Sequence, residues 1–472
     1  YINGFSDDVK EILDNFEIAT IIEKLKKAGL LYLVVQKFSE INLGADTIDN
    51  LEMGYMFEEL IRKFSEQSNE TAGEHFTPRE VIELMVEVLL DTDLDEITTT
   101  DGKVITILDP ACGTGGMLSI AQNKIRALNS RTTVVPFGQE LNPETYATCK
   151  SDMILKNNTN SKIVFGNSFS EDGFREQKFD YILSNPPFGV EWKKVKNFIE
   201  NESKHKGYDG RFGAGTPRIS DGSLLFLQHM ISKMQPIEKG GSRIGIVFNG
   251  SPLFSGDAGS GESEIRKWII EKDLLEAVIG LPDQLFYNTG ISTYVWILTN
   301  RKTDRRKGKI RLINGTSFFG KMRKSLGNKR NEITESDRKE IVRLYSTYEH
   351  DENYIDFDND DFGYRKITIE RPLYDENREV VVEKGNPKPN SKLRDTETVP
   401  FKEDIHEYFK REVLPHVPDA WIDEKKTKIG YEIPFTRHFY KFTPLRESSV
   451  IIDEIKQLEE KIQKTLNELF KG

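Results

Sequence analysis

Val104-Ile105-Thr106-Ile107-Leu108-Asp109-Pro110-Ala111-Cys112-Gly113-Thr114-Gly115-Gly116 is the stretch on which the fold turns. Val104–Leu108 is a short run of apolar and β-branched residues, which reads as a buried strand. Gly113, Gly115 and Gly116 then let the backbone turn tightly and come close to a ligand. From Met117 the pattern becomes helical, so the loop brings the unpaired N–H groups of a helix N-terminus to the end of the strand. The spacing is neither the G-x-G-x-x-G of dinucleotide folds nor a phosphate loop ending in G-K-[ST].

Strand and helix signals continue on the C-terminal side. Candidate strands are Val104–Leu108, Thr133–Gly138, Ile163–Phe165, Tyr181–Ser184, Ile244–Phe248, Ala277–Ile279 and Tyr294–Leu298, with helical stretches between most of them. This alternation predicts an α/β fold with a doubly wound, mostly parallel, seven-stranded Rossmann-like sheet. Residues 1–73 carry apolar residues at mixed three- and four-residue spacings and read as a helical N-terminal domain. After residue 300 the character changes. Arg301–Arg311 is basic and is expected to be a solvated connection; Asp351–Asp361 is acidic; Pro372 to Pro434 is weakly periodic. Ile451, Ile455, Leu458, Ile462, Leu466 and Leu469 then predict an amphipathic helix of roughly six turns, suited to a partner helix. The expected domains are 1–73, 74–312 and a C-terminal helical extension over 313–472.

The chain of 472 residues is 37% hydrophobic and 30% charged, as expected of a globular protein of two or three domains. No apolar run reaches the ~20 residues needed to span a bilayer. Cys112 and Cys149 offer neither a disulfide framework nor metal-ligand spacing, so no metal is expected and a reducing cytoplasm is. A net charge of −11 argues against a protein that grips nucleic acid over its whole surface. Any such work needs a basic partner or a local patch. Lys193, Lys194 and Lys196 are candidates for phosphate contact.

The chemistry is concentrated in Asn185-Pro186-Pro187-Phe188, directly after Phe179–Ser184. Open α/β sheets bind ligands at the carboxyl ends of their strands, which is where this tetrapeptide falls. Two prolines remove two backbone donors. What remains is a set of carbonyls, one amide oxygen and an aromatic face, a site suited to a planar base with an exocyclic amine. Glu140 ends the second strand, as expected of a carboxylate that accepts from ribose hydroxyls. Asn167 follows the third strand, where an amide can meet an adenine edge. Thr77-Pro78-Arg79-Glu80 predicts a capping box with proline at the first helical position. Tyr181 is expected to be a core residue, His75 structural and Cys112 a small filler.

Together these residues resemble the S-adenosylmethionine-dependent amino-methyltransferases of DNA. Asp109, Pro110, Ala111, Cys112, Gly113, Thr114, Gly115 and Gly116 look like their cofactor loop, and Asn185, Pro186, Pro187 and Phe188 like their catalytic motif. Gly73-Glu74-His75-Phe76-Thr77-Pro78-Arg79, the helical N-terminal region and Gly430-Tyr-Glu-Ile-Pro-Phe-Thr-Arg-His438 narrow the likeness. They resemble the modification subunit of type I restriction–modification systems, over nearly the whole chain. The resemblance implies S-adenosylmethionine as cofactor, held by Glu74, His75, Phe76, Thr77, Pro78, Arg79, the glycine loop, Glu140 and Asn167. It implies methylation of adenine N6 in double-stranded DNA, and assembly with a specificity subunit and a second modification subunit. A nuclease subunit is a further partner it allows. It also implies that the N-terminal domain is truncated. Two departures from the pattern are Asn167, where an aspartate is common, and Cys112 within the glycine loop.

Methylation of the exocyclic amine needs no strong base if the Asn185 oxygen and the Pro186 carbonyl accept its N–H bonds and stabilise the charge developing on nitrogen. Phe188 is expected to stack on a base flipped from the duplex. Cytosine C5 chemistry is disfavoured, because neither cysteine follows a proline as that nucleophile does in its family. Cytosine N4, a protein or RNA amine, and a non-catalytic cofactor-sensing scaffold are the competing readings.

Overall fold

The structure, a computed structural model, describes residues 4–44, 47–48, 52–53, 56–57, 59–60, 63, 77–156, 158, 160–287, 289–440 and 447–469. All seven expected strands form: β1 Val104–Asp109, β2 Thr133–Glu140, β3 Lys162–Phe165, β4 Tyr181–Ser184, β5 Arg243–Asn249, β6 Leu275–Gly280 and β7 Thr293–Thr299. Two more extend the sheet beyond the expected seven. These are β8 Lys309–Asn314 and, after a hairpin of β9 Gly320–Leu326 and β10 Lys329–Glu332, β11 Tyr354–Asp358. The order across the nine strands is β11-β8-β6-β7-β5-β4-β1-β2-β3. Strands β3, β2, β1, β4 and β5 are mutually parallel, β7 runs antiparallel to both β5 and β6, and β8 is parallel to β6. The loops after β1, β4, β5, β6 and β8 therefore leave from one edge. The order reverses between β1 and β4, and that switch point is where such sheets hold ligands.

Burial explains the apolar strand signals. Every residue of β4, β6 and β7 is buried, as in a sheet covered on both faces. Helix Arg79–Leu90 covers one face with Val81, Ile82, Leu84, Met85, Val88 and Leu89. It comes so near β5 that a Cβ on Gly245 would lie 3.1 Å from Leu89 and 3.3 Å from Met85. Helices Gly116–Leu128 and Pro143–Leu155 complete the β1–β2–β3 half. In the N-terminal region, helices Asp7–Asn15, Ile18–Lys27 and Leu31–Ser39 are described. Glu11 of the first accepts from Tyr146 (2.8 Å) and Lys150 (2.6 Å) of helix Pro143–Leu155.

The basic run is not a solvated connection. Lys302, Arg306 and Arg311 are buried, and Arg301 forks onto Asp93 with two 2.6 Å bonds. Burial raises the Asp93 carboxyl, but the Arg301 guanidinium outweighs it and holds the group below its ordinary range. Arg311 pairs with Asp356 through Nε and Nη2, both at 2.7 Å, because β8 and β11 lie antiparallel with those residues opposite each other. The basic and acidic runs are thus partner strands, and the large sheet continues past residue 312.

The 313–434 region is not simply helical. Helix Glu335–Ser346 carries a Thr334 capping box. A small antiparallel sheet follows, with β12 Gly363–Glu370 at its centre, β15 Asp395–Pro400 on one side, and β16 Trp421–Ile422 and β17 Lys428–Tyr431 on the other; β13 Val382–Glu383 and β14 Asn386–Pro387 form a separate short pair. Tyr1–Pro434 form one unit and Phe435–Gly472 a second. Within the second, helix Ser448–Leu469 is 22 residues long, about 33 Å. Val450, Ile451, Ile452, Ile455, Leu458, Ile462 and Leu466 on it are exposed. No helix among the described residues is long and apolar enough to cross a membrane.

Candidate functional site

Asp109 ends β1 and Ser184 ends β4, one strand apart at the switch point. The Ser184 hydroxyl donates to Asp109 Oδ1 at 2.9 Å, and the Ala111 N–H donates to the same oxygen at 3.0 Å. Burial pushes the Asp109 carboxyl up to about 7; the two donors lower it and the nearby Glu140 charge raises it. A carboxyl poised in this way can be recharged by a bound cation.

The glycine loop lies where the sequence places it. Gly113 and Gly115 have φ of 53° and 84°, the left-handed region that favours glycine. A Cβ on Gly115 would lie 2.7 Å from Cys149 Sγ, whereas nothing stands within 4 Å of the same position on Gly113. Gly115 is needed for packing, and Gly113 faces open space. Ala111, Gly113, Thr114 and Gly116 are half-buried, and Pro110 and Cys112 are buried. The Pro110 carbonyl accepts from Ser168 at 2.5 Å. Cys112 Sγ sits 4.0 Å from Cys149 Sγ; that neighbour and then burial push the Cys112 thiol well above its ordinary value, consistent with a filler. Glu140, at the end of β2, accepts from Gly113 N–H at 2.8 Å and Asn142 N–H at 2.7 Å. Its carboxylate therefore spans from β2 to the loop.

Asn185 is half-buried, and its Nδ2 donates to Thr77 Oγ1 at 2.8 Å. This bond replaces the expected capping box. The helix begins at Arg79 with Pro78 at the cap position, and no side chain caps it. The Thr77 hydroxyl is taken by Asn185, and Glu80 is taken by Lys329. The motif thus fixes the amide plane of Asn185, with its oxygen on the edge opposite Thr77. Thr77→Val is expected to lower turnover about tenfold without destabilising the helix, since one hydrogen bond of about 1.4 kcal/mol is removed and no cap is lost. Steady-state kinetics beside a urea melt would check it.

Phe188 is buried, at 6% exposure, and meets Phe286 edge-on at 6.4 Å between centroids. Stacking on a base requires this ring or its cover to shift. Asn167 is half-buried, and its Oδ1 closes a local turn by accepting from Phe169 N–H (2.9 Å) and Ser170 N–H (3.4 Å). Its oxygen is thus spent on the turn. Arg79 is exposed and pairs with Glu83. Glu74, His75 and Phe76 lie outside the described residues. Lys193 and Lys194 are exposed, and Lys196 pairs with Glu200. Among the described residues, no group of His, Cys, Asp and Glu can hold a metal ion.

Arg211 was not among the residues expected at the site. Its guanidinium donates to the carbonyls of Ser168 (2.9 Å) and Phe169 (2.6 Å), directly after Asn167, and pairs with Glu202. Its signal is weak: one arginine in a glycine-rich run with no periodicity. Behind it His229 is buried, and burial lowers its imidazole to about 3, so it stays neutral.

This arrangement has its likeness in known proteins. The model of the N-6 DNA methylase family matches residues 49–363. The chain is 29% identical over 343 residues to the type I restriction enzyme MjaIX methylase subunit of Methanocaldococcus jannaschii, covering 71% of this chain and 55% of that protein. It is 31% identical over 280 residues to the HindI methylase subunit of Haemophilus influenzae, covering 58% of this chain and 55% of that one. It therefore spans 55% of the length of each of these relatives. The solved type I restriction-modification methyltransferase subunit of Streptococcus thermophilus aligns with a TM-score of 0.55 at 27% identity, over 65% of this chain and 60% of that one. A modification subunit of a type I enzyme from Vibrio vulnificus shares the fold, with a TM-score of 0.51 at 20% identity, over 75% of this chain and 67% of its own. With the glycine loop, Glu140 and the Asn185 motif all inside the matched region, this chain belongs to the N-6 DNA methylase family.

Proposed function

We propose that the chain methylates adenine N6 in double-stranded DNA, using S-adenosylmethionine, as the modification subunit of a type I restriction–modification complex. The observation that carries the reading is the meeting of Asn185 and the Asp109 loop at adjacent strand ends, coupled through Ser184. When bound, S-adenosylmethionine supplies an electrophilic methyl group. The residues fit it: Gly113 leaves open space, Glu140 offers carboxylate oxygens to a ribose diol, and Asp109 offers a buried carboxylate to an ammonium group. Asn167 has its oxygen in a turn, which leaves its NH2 to serve an adenine edge. The Asn185 oxygen and the Pro186 carbonyl accept the N–H bonds of the target amine, which turns its lone pair toward the reaction and stabilises the developing positive charge. Phe188 supports the flipped base once its cover shifts.

The acidic net charge and the exposed apolar stripe on helix Ser448–Leu469 support work in a complex, with a specificity subunit, a second modification subunit and, in the restriction form, a nuclease subunit. The competing scaffold and protein- or RNA-methylation readings part from this one in a labelled-methyl assay with the specificity partner. Label on DNA is the expected result; label on protein or RNA alone, or none with any partner, would overturn the proposal. Glu140→Ala is expected to weaken S-adenosylmethionine binding roughly tenfold or more, since hydrogen bonds to a charged group contribute about 1.5–3 kcal/mol. Unchanged affinity by calorimetry would remove the ribose role.

A further inference from the structure

We infer that the β9–β10 hairpin grips the phosphate backbone of DNA beside the flipped base, an inference that rests on the DNA reading above. The chain carries −11 net charge, so it needs a local basic surface to approach a polyanion. The long basic run supplies little of one. Arg301, Lys302 and Arg311 are held by Asp93, Asp273 and Asp356, and Lys307 and Lys309 pair with Asp304 and Asp358. Arg306 is buried, and Arg305 lies over the Tyr348 ring. The hairpin differs. Lys321, Arg323, Lys324 and Arg330 are exposed, and among the described residues none has an acidic partner within ion-pair distance. Lys321 and Arg323 are two residues apart on β9 and share one face of the strand.

The root of the hairpin is fixed. Lys329 is 3% exposed; it pairs with Glu80 and donates to the carbonyls of Leu285 and Asn331, both at 3.1 Å. Asn328 N–H donates to the Tyr287 carbonyl at 2.8 Å, and Asn331 Nδ2 to the Asp283 carbonyl at 2.8 Å. The buried lysine anchors, and the exposed cations are left for a ligand.

Its position supplies the second argument. The hairpin follows β8, so it leaves from the same sheet edge as the Asp109 loop and the Asn185 motif. Its anchors reach both sides of that motif. Glu80 lies three residues after Thr77, which holds Asn185. Leu285 adjoins Phe286, which packs on Phe188. A base delivered to Asn185 brings its flanking phosphates to this edge, where four exposed cations stand on a rigid support. Arg and Lys are the side chains that bind phosphates in this manner.

The test uses the full chain assembled with its specificity partner and a duplex carrying that partner's target. DNA affinity is measured by fluorescence anisotropy across about 50–200 mM salt, the range in which phosphate neutralisation dominates. Lys321→Gln/Arg323→Gln/Lys324→Gln is expected to bind DNA roughly tenfold or more weakly. It should also flatten the slope of log K against log salt by about 0.9 for each phosphate no longer neutralised. Assembly and S-adenosylmethionine affinity should be unchanged. The charge-preserving set Lys321→Arg/Arg323→Lys/Lys324→Arg should recover most of the binding, and Arg330→Gln alone should flatten the slope by about 0.9. An unchanged slope in an intact complex would overturn the inference. So would loss of the specificity partner with an unchanged slope, which would mark the hairpin as a protein-docking surface. Wild type that binds DNA with a steep slope yet transfers no methyl group would defeat the methylation reading instead, so the two failures are distinguishable.

Discussion

Asn185→Ala is expected to lower methyl transfer a hundredfold to a thousandfold while S-adenosylmethionine affinity stays nearly unchanged. The magnitude is that of removing one preorganised polar group aimed at developing charge. The amide is held rigid by the Thr77 bond on one edge, so its oxygen needs little reorganisation as the amine becomes cationic. The effect should fall on the turnover number rather than on substrate KM, because the interaction strengthens only in the transition state. Thr77→Val, which keeps the oxygen but loosens its aim, should fall between wild type and Asn185→Ala. Equal losses in both variants would mean that Asn185 acts through the fold rather than on the base.

Asp109→Asn is expected to make the cofactor-free protein more stable at alkaline pH and to weaken S-adenosylmethionine binding up to roughly a hundredfold, the scale of a charged hydrogen bond of about 3 kcal/mol. The Asp109 carboxyl sits near 7 in the fold, against an ordinary value of 3.8, chiefly because it is buried. The folded value lies above the unfolded one, so the fold holds this proton more tightly than the unfolded chain does. Its contribution to stability is present below about 4 and is lost as the pH rises through about 7. A difference of that size corresponds to about 4 kcal/mol. Asparagine retains the oxygen that accepts from Ala111 and Ser184 but cannot ionise. Urea midpoints of wild type and variant should therefore diverge between about pH 4 and pH 7, with the variant ahead above about 7. In wild type, affinity for the ammonium-bearing cofactor should rise over the same interval, because only the ionised carboxylate attracts it. Parallel stability curves, or affinity independent of pH, would show that this carboxylate does not carry the charge interaction.

The parts of the fold legible in the sequence are those governed by local pattern. β4, β6 and β7 are apolar throughout because both faces of the sheet are covered, and their limits agree with the sequence pattern to within a residue or two. The glycine loop is legible because Gly115 faces Cys149 too closely for any side chain. What escapes local pattern is pairing across distance. The basic run reads as solvated because Asp356, which faces Arg311, lies 45 residues further on. β12, β15, β16 and β17 lie among prolines and charges with little alternation, so their sheet leaves no signal. Thr77-Pro78-Arg79-Glu80 carries the letters of a capping box, but tertiary partners take both ends: Asn185 the threonine, Lys329 the glutamate. Asn185 itself is evident from its motif; the threonine that orients it is not, because the two lie 108 residues apart.

The identity of the modified base is the most direct test of adenine methylation by this chain. The full chain, assembled with its specificity partner, would be given double-stranded DNA and labelled S-adenosylmethionine, and the nucleosides from the digested DNA would be weighed. N6-methyladenine is expected with wild type, and none above background with Asn185→Ala. N4-methylcytosine, or unmodified DNA from an assembled complex that binds both cofactor and duplex, would contradict it.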